Sequence, residues 1–329
     1  MRVGVIGAGA VGGTMAALLA RAGHNVEVTA RGDHLAAIRS TGLHLSGIWG
    51  EYTARVAANE TLSERPELVI VTTKAQDAPG ALRSNANQLG AIPLVIVQNG
   101  LDAIDTARHE APAADILGGL ALFAASYLSP GEVSVTGPGR TFLGGGLGDH
   151  ALGVATRLLG AVMDVSAVEN FRGAQWTKLV VNQINALPAI TGLSAQEVIA
   201  HDGLRHLMTG SMRETVRIAL ASDVHFEELQ GLSHTILRVF AAAPTLIAQE
   251  LPKRLSARMG DIPNPGSTLQ SIRRGQLTEI DYLNGAVVRA AGQIGEKATV
   301  NAALVDLVHE VERTGQFITP DEVVRRFRP

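Results

Sequence analysis

The first half of the chain alternates short runs of branched apolar residues with segments whose apolar positions recur at helical spacing. The main strands are predicted at residues 3–6, 26–28, 68–71, 94–97 and 116–123, with minor strands at 43–45, 52–56 and about 164–168. Helical periodicity predicts helices at 11–22, 33–39 and about 150–162. Residues 132–135 and 140–143 predict a hairpin around 137–139. This alternation is typical of an α/β fold with a doubly wound, mostly parallel sheet.

Strand patterns stop after residue 168, and the second half is predicted to be all helical. The predicted helices lie at about 171–187, 194–200, 203–222, 225–242, 267–274, 278–294 and 300–314, with a last short helix starting at Pro320. Residues 243–266 carry four prolines and are expected to be partly irregular. We therefore expect two domains, 1–168 and 169–329.

A glycine-rich turn joins the first strand to the first helix. Gly7, Gly9 and Gly12 have the spacing G-x-G-x-x-G, and a second strand closes a βαβ unit of about 30 residues. Such a turn places a helix N-terminus against a dinucleotide pyrophosphate. The alternative is a tight turn that binds nothing, which the βαβ context disfavours. The expected cofactor contacts are the residues of this turn, Gly7, Ala8, Gly9, Ala10, Val11 and Gly12.

The end of the second strand carries Arg31 where NAD-binding units carry an acidic residue for the ribose hydroxyl. The first carboxylate after the strand is Asp33. A guanidinium pairs well with a 2′-phosphate, through two parallel hydrogen bonds. Arg31 as a solvated loop charge is the alternative interpretation. The sequence favours NADP(H).

Composition excludes several other classes of function. A net charge of −3 without a basic stripe argues against a nucleic-acid partner. The absence of cysteine excludes disulfides and thiolate chemistry, and the ten histidines form no predicted metal site. Residues 3–20 are uncharged, but their glycines favour a buried strand and turn over a membrane or targeting segment. We expect a cytoplasmic protein without membrane contact; a homodimer through the helical half stays open.

A polar stripe marks the start of the helical half. Lys178, Asn182 and Asn185 fall at i, i+4 and i+7, and the residues between them are mostly apolar. Such a stripe is costly unless it faces water or a ligand. It is either part of a ligand site or a solvent-facing stripe with an extended lysine.

A second polar cluster comprises Ser267 and the segment 278–285, which includes Glu279. Capping boxes are an alternative explanation for Ser267 with Gln270 and for Thr278 with Asp281. Capping permits an acidic residue at Glu279 but does not require one.

Taken together, these motifs resemble the ketopantoate reductase (2-dehydropantoate 2-reductase) family over nearly the whole chain. The matching segments are the glycine turn, A-R-G-x-H-L at 30–35, Lys74, Asn99-Gly100, Lys178-x-x-x-Asn182 and T-E-I-D-Y-L-N-G at 278–285. The last octet is the most specific, whereas β-hydroxyacid dehydrogenases share the Lys-x-x-x-Asn spacing.

The resemblance implies an NADPH-dependent reduction of 2-dehydropantoate to pantoate, on the route to pantothenate and coenzyme A. It implies that Lys178 is the catalytic lysine and that Glu279 holds the substrate hydroxyl. Asn99 and Asn182 would line the site, and Ser267 would contact the substrate. Arg31 and Lys74 would contact the cofactor. Hydride addition places negative charge on the ketone oxygen, which an ammonium can stabilise and protonate.

Two positions depart from the family pattern where substrate contacts are expected. Ala186 replaces a common asparagine, with Asn185 one residue early and Pro188 displaced, and Ser271 replaces a common aspartate. Two alternatives therefore stay open beside a ketopantoate reductase. One is a related 2-oxo acid reductase or hydroxyacid dehydrogenase; the other is a non-catalytic NADP-sensing protein, which would need neither Lys178 nor Glu279.

Overall fold

The computed structural model describes residues 1–260 and 263–327. The chain divides into two units, Met1–Phe171 and Arg172–Pro329. The first is α/β and the second is helical.

Strands in the first unit follow the predicted apolar runs closely. They are β1 (Arg2–Ile6), β2 (Asn25–Thr29), β3 (Leu43–Gly47), β4 (Tyr52–Ala54), β5 (Ala57–Asn59), β6 (Leu68–Val71), β7 (Pro93–Val97), β8 (Asp115–Ala121), β9 (Ala124–Ser129), β10 (Glu132–Gly137), β11 (Thr141–Gly144) and β12 (Val165–Ala167). The helices are α1 (Ala10–Arg21), α2 (Gly32–Thr41), α3 (Ala78–Ser84), α4 (Ala86–Leu89), α5 (Ala103–Glu110) and α6 (Asp149–Gly160). A 3-10 turn lies at Ala75–Asp77.

The described strands form two sheets. An eight-stranded sheet has the order β12-β11-β8-β7-β6-β1-β2-β5, and a four-stranded sheet has the order β4-β3-β10-β9. In the larger sheet, only the β8–β11 pair is antiparallel. This confirms the doubly wound, mostly parallel sheet.

The strand order reverses at β1, which pairs with β2 on one side and β6 on the other. Ile6 lies opposite both Thr29 and Val71, and Val71 also lies opposite Ile96. The carboxyl ends of β2, β1, β6 and β7 therefore meet at one edge. In open α/β sheets, ligands bind outside this edge, where the strand order reverses.

Helix α1 explains the uncharged run at residues 3–20. Eight consecutive residues of this helix are buried, from Gly12 to Leu19. One face follows β1 in the large sheet, and the other packs against the small sheet, where Gly13 lies close to Val133 and Leu43. A helix that is apolar on all sides is one that is covered on all sides.

The predicted hairpin at 132–143 is wrong. Strand β10 pairs with β9 and β3 in the small sheet, whereas β11 pairs with β8 and β12 in the large sheet. The Gly137-Pro138-Gly139 link passes between sheets, and a Cβ on Gly139 would collide with the Leu122 backbone. Turn residues predicted a reversal, but they allow a close crossing of two backbone segments instead.

The helical unit confirms the prediction that strand patterns end before residue 170. Its helices are α7 (Phe171–Asn182), α8 (Ala186–Thr191), α9 (Ala195–Ala200), α10 (Asp202–Ala221), α11 (His234–Ala242), α12 (Thr245–Ala248), α13 (Glu250–Arg258), α14 (Gly266–Arg273), α15 (Asn284–Gln293), α16 (Thr299–Thr314) and α17 (Pro320–Arg326). Two 3-10 turns lie at Gln183–Asn185 and Ile280–Tyr282.

Two helix predictions need correction. Helix α11 begins at His234 rather than at 225, because a tight turn with an isolated bridge between Leu229 and Leu232 precedes it. The predicted helix at 278–294 starts as a 3-10 turn. Residues 243–266 are partly irregular as predicted, because the short helices α12 and α13 are preceded, separated and followed by non-helical residues; residues 261 and 262 of that segment lie outside the described residues.

A buried polar network links four elements of the helical unit. Gln183 Oε1 accepts hydrogen bonds from Ser211 Oγ at 2.8 Å and from Asn284 Nδ2 at 2.7 Å. Asn284 Nδ2 also donates to Asn301 Oδ1 at 3.0 Å. The network joins the segment after α7 to the start of α15, so it ties together the two segments that carry the predicted polar residues, 178–185 and 278–285.

Over the ranges that the structure describes, no helix has both the length and the apolar character needed to cross a bilayer.

Candidate active site

The glycine turn after β1 has a geometry that requires glycine. Gly7 adopts φ +98°, and a Cβ there would lie 2.9 Å from Thr73 N. A Cβ on Gly12 would overlap both Gly7 O and Thr72 Oγ1. Around Gly9, by contrast, a Cβ would meet no atom within 4 Å. Gly7 and Gly12 thus hold the turn together, whereas Gly9 faces open space.

Hydrogen bonds fix this turn to the neighbouring strand ends. Gly7 N donates to Thr29 Oγ1 and Ala8 N donates to Thr29 O, both at 3.0 Å. Thr72 Oγ1 donates to Gly7 O at 2.6 Å. Helix α1 begins directly afterwards, and its first turn carries no acidic residue. The first N–H groups of a helix have no partner within it, so this end presents donors and a positive dipole to an anion.

Three further candidates lie at the same sheet edge. Arg31 is exposed and occupies the N-cap position of α2, directly after β2. Lys74 follows β6 and is half-buried, and its carbonyl accepts hydrogen bonds from Asp77 N and Ala78 N. Asn99 follows β7 and is also half-buried. The shared register of β2, β6 and β7 brings these three residues to the edge that carries the glycine turn.

In the helical unit, the polar stripe of the sequence is the less buried side of an otherwise buried segment. Lys178, Asn182 and Asn185 are half-buried. Of the other residues from Phe171 to Ile190, only Arg172 and Val181 are not fully buried. Val181 lies at i+3 from Lys178, on the same side of α7. The stripe continues past Asn182 because the 3-10 turn at Gln183–Asn185 carries Asn185 onward.

The charges of Lys178 and Glu279 interact with each other. Burial lowers the pKa of Lys178 from its ordinary value of 10.5 to about 8, and the charge of Glu279 opposes this change. Glu279 is half-buried and immediately precedes the 3-10 turn at Ile280–Tyr282. The two charged residues singled out from separate motifs are therefore electrostatically coupled within one unit.

The turn that carries Glu279 is held from α16. Thr278 N donates to Glu312 Oε1 at 2.7 Å. His309 contacts Glu312 Oε2 at 2.7 Å and Asp281 Oδ1 at 3.0 Å. Burial alone would lower the pKa of His309, but its hydrogen bonds to the two carboxylates outweigh burial and raise it. His309 bridges the carboxylates of Glu312 and Asp281, and Glu312 also binds Thr278 N, so both ends of the Thr278–Asp281 segment are fixed.

Neither capping box is formed. Helix α14 begins at Gly266 with Pro265 as its N-cap, so Ser267 lies inside the helix, where it is exposed. Thr278 Oγ1 accepts a hydrogen bond from Ile280 N at 3.2 Å, and Asp281 pairs with His309. A capping box requires Ser267 or Thr278 at the N-cap position. The N-cap of α14 is Pro265 instead, and the N-cap of the 3-10 turn is Glu279.

Ser267 lies beside the end of the polar stripe. A Cβ on Gly266, the residue before it, would collide with Asn185 Oδ1. Ala186, at the first departure from the family pattern, is fully buried, and Ser271 at the second is buried with its hydroxyl donating to Ser267 O at 3.2 Å. Asn185 is thus the amide that lies next to α14, while the two departing side chains point into the core.

The sequence analysis assigned no role to three residues that stabilise this geometry, although one of them, His34, lies in the matching segment 30–35. Gln98 Nε2 donates to Thr73 O at 2.7 Å and ties the ends of β6 and β7 together. His34 contacts the glycine turn, and His309 supports the Glu279 turn. For His309, the i, i+3 spacing to Glu312 on a predicted helix was the local pattern that could have indicated their contact. Within residues 1–260 and 263–327, no cluster of three or more acidic or histidine side chains could hold a metal ion.

A glycine turn on a doubly wound sheet, followed by a helical unit with a coupled ammonium and carboxylate, defines an oxidoreductase with a dinucleotide-binding unit. Residues 3–147 match the family described as ketopantoate reductase PanE/ApbA, and residues 170–312 match its C-terminal region. The chain belongs to the ketopantoate reductase family.

Individual relatives agree with this assignment. A 2-dehydropantoate 2-reductase of Pyrococcus horikoshii is 27% identical over 319 residues, covering 96% of this chain and 99% of the relative. The crystal structure of a PanE/ApbA family ketopantoate reductase from Ralstonia eutropha is 29% identical with a TM-score of 0.80, covering 95% of this chain and 99% of that one. A D-mandelate dehydrogenase solved with NADH and anilino(oxo)acetate is 21% identical with a TM-score of 0.80, covering 97% of this chain and all of that one, and shares the fold.

Proposed function

We propose that the protein reduces 2-dehydropantoate (ketopantoate) to (R)-pantoate with NADPH, a step toward pantothenate and coenzyme A. The observation that carries the proposal is Lys178, a half-buried lysine with a pKa of about 8 beside Glu279, in a chain of the ketopantoate reductase family. A general acid works best when its pKa lies near the operating pH. The lowered pKa supports a catalytic role for Lys178.

The first unit fits a dinucleotide. The open space at Gly9 and the donors at the start of α1 suit a pyrophosphate, for which we propose Gly7, Ala8, Gly9, Ala10, Val11 and Gly12 as contacts. Arg31, exposed at the end of β2, is proposed to pair with the 2′-phosphate of NADP(H). Lys74 and Asn99, at the same edge, are further proposed contacts to the cofactor. When bound, NADPH supplies the hydride that reduces the ketone carbon.

Lys178 then has two tasks at the ketone oxygen. As an ammonium it stabilises the negative charge that develops there, and it donates the proton that completes the alcohol, leaving a neutral amine. A pKa of about 8 leaves roughly nine lysines in ten protonated at pH 7. Burial weakens the hold of Lys178 on its proton, so the transfer is easier than from an exposed lysine.

The remaining polar residues are proposed to orient the substrate. Glu279 accepts a hydrogen bond from the substrate hydroxyl, in a turn that Glu312 and His309 hold in place. Asn182, Asn185 and Ser267 are neutral donors suited to the hydroxyl or carboxylate of a 2-oxo acid. Asn99 is proposed to contact the substrate as well.

A second candidate is the reduction of a different 2-oxo acid. The motivating observation is that Ala186 and Ser271 are buried where the family pattern has an amide and a carboxylate, which leaves Asn185 to serve from a neighbouring position. This changes the group that would meet the substrate side chain, while Lys178 and Glu279 keep their roles.

The test is the rate of NADPH oxidation with ketopantoate, pyruvate, 2-oxoisovalerate and a 3-oxo acid, each over a range of concentrations. We expect the highest kcat/KM with ketopantoate. A higher value with another 2-oxo acid would replace the substrate but keep the chemistry. If NADPH binds and none of the acids is reduced, the protein is a cofactor-binding protein and the proposed reaction is wrong.

A further inference from the structure

His34, on the first turn of α2, connects three segments of the first unit. Its Nε2 lies 2.7 Å from Ala8 O in the glycine turn. Its Nδ1 accepts a hydrogen bond from Gly131 N, in the β9–β10 connection, at 2.9 Å. The Tyr127 ring packs edge-on against the imidazole, with centroids 5.0 Å apart. His34 thus links the glycine turn to the small sheet.

These contacts determine the protonation of the ring. Gly131 N is a donor, so Nδ1 must accept and carries no proton. The proton of the neutral ring therefore lies on Nε2, which donates it to Ala8 O. Burial lowers the pKa of His34, while the hydrogen bond to Ala8 opposes the change. His34 is neutral at physiological pH, with one donor and one acceptor both in use.

The bond to Ala8 O controls the direction of the next N–H group. A trans peptide is planar, and its C=O and N–H point in opposite directions. Holding Ala8 O toward His34 therefore turns Gly9 N–H away from it. Gly9 is the extended N-cap residue of α1 and faces the open space of the turn. One side-chain hydrogen bond thus aims a backbone donor at the place proposed for the pyrophosphate.

We propose that His34 is a positioning residue for the nucleotide, which holds the Ala8–Gly9 peptide in its binding orientation while Gly131 fixes the imidazole. The inference rests on the proposed binding of NADP(H) to the glycine turn, and it extends that proposal to a residue behind the turn.

Few charged groups surround His34. Helix α2 contributes Arg31 and Asp33, which are both exposed. The β9–β10 segment contributes Tyr127 and Glu132, and the Glu132 carboxylate accepts a hydrogen bond from Ser129. The glycine turn itself has no titratable side chain. Protonation of His34 would put a second N–H against Gly131 N–H, expel the ring from its place and release Ala8 O.

Two variants separate the two hydrogen bonds. In His34→Gln the amide nitrogen occupies the position of Nε2 and can still donate to Ala8 O. In His34→Asn the amide oxygen occupies the position of Nδ1 and can still accept from Gly131. His150→Gln, at an exposed histidine of the same unit, is the matched control. Dissociation constants are measured for NADPH and for ADP-ribose by calorimetry, and thermal unfolding verifies the fold.

We expect His34→Gln and the control to bind both ligands like the parent protein. His34→Asn should bind both about 5- to 10-fold more weakly, which corresponds to the loss of one hydrogen bond. Equal affinities for His34→Asn and the parent, or equal losses in both His34 variants, would overturn the inference.

A pH series on the unaltered protein provides a second measurement. ADP-ribose is the probe, because it lacks the 2′-phosphate, whose second ionisation falls near pH 6. Affinity should fall as the pH drops below about 6.5 and through the lowered pKa of His34. In His34→Gln it should stay flat over that range, and a fall of equal size there would contradict the role of His34. If the parent protein binds neither ligand at any pH, the proposed cofactor site itself is wrong, and the inference falls with it.

Discussion

Replacement of Glu279 by Gln tests the electrostatic core of the proposed reaction. Burial lowers the pKa of Lys178 to about 8 even though the carboxylate of Glu279 opposes it. The drop from 10.5 to about 8 means that the site destabilises the ammonium, relative to a lysine in water, by about 3 kcal/mol. Without the carboxylate, burial acts unopposed, so the pKa of Lys178 should fall further.

The size of the effect follows from the charge that is removed. An opposite charge nearby shifts a pKa by roughly one unit or more. Reduction requires the ammonium, so its rate falls as the pH rises through the pKa of Lys178. This fall in rate is the basic limb of the pH profile. If the pKa of Lys178 moved from about 8 to about 7, the protonated fraction at pH 8 would fall from about one half to about one tenth. Relative to its own plateau at low pH, the variant should lose roughly tenfold in rate at pH 8, whereas the parent should lose about twofold.

The assay is kcat/KM for NADPH oxidation as a function of pH, together with pantoate oxidation in the reverse direction. Reverse oxidation needs the neutral amine, so its rate should rise through the same pKa. Glu279→Asp keeps the charge and should keep the limb near that of the parent; Glu296→Gln removes an exposed carboxylate elsewhere in the unit and should leave it unmoved. A limb that stays in place or moves to higher pH in Glu279→Gln would refute the coupling.

Five other substitutions have defined outcomes. Lys178→Ala should lower kcat about 10²- to 10³-fold, and near-normal turnover would exclude it as the general acid. Arg31→Ala should weaken NADPH binding about 10- to 100-fold and leave NADH binding unchanged, as measured by titration; parallel losses would argue against a 2′-phosphate contact. Gly12→Ala should lower the melting temperature because its Cβ has no room, whereas Gly9→Ala should keep the melting temperature and lose NADPH affinity. Asn284→Ala should cost about 1–3 kcal/mol of unfolding free energy in urea, since it removes a donor from the buried amide network; an unchanged midpoint would show that the network adapts.

Local sequence patterns predicted the strands whose apolar residues follow one another without interruption. The strands at 68–71 and 94–97 have the same bounds, within a residue, in the sequence pattern and in the structure. Their branched apolar residues are buried on both sides of the sheet, which is what a parallel strand requires. The small sheet was not predicted, because β10 pairs with β3 far back in the chain and a turn-rich link suggested a local hairpin instead.

In the candidate site, too, local features could be predicted from the sequence and long-range contacts could not. The spacing of Lys178, Asn182 and Asn185 on one helix face was visible in the sequence, because it depends only on helical geometry. The electrostatic pairing of Lys178 with Glu279 depends on how helices about a hundred residues apart pack, and the sequence-based argument for it rested on resemblance. His34 and Gly131 are 97 residues apart, and no local pattern joins them.

Helix α1 is covered by the large sheet on one side and the small sheet on the other, and this has a consequence for redesigning cofactor preference. Each position from Gly12 to Leu19 is enclosed, so a side chain cannot change there without disturbing the sheet on one side or the other. The turn needs little ordering when a ligand arrives, which limits the entropic cost of binding. Arg31 lies outside this enclosure, at an exposed strand end. A switch between the phosphorylated and unphosphorylated nicotinamide nucleotides is therefore best sought at the β2–α2 junction, where sequence can vary while the turn stays intact.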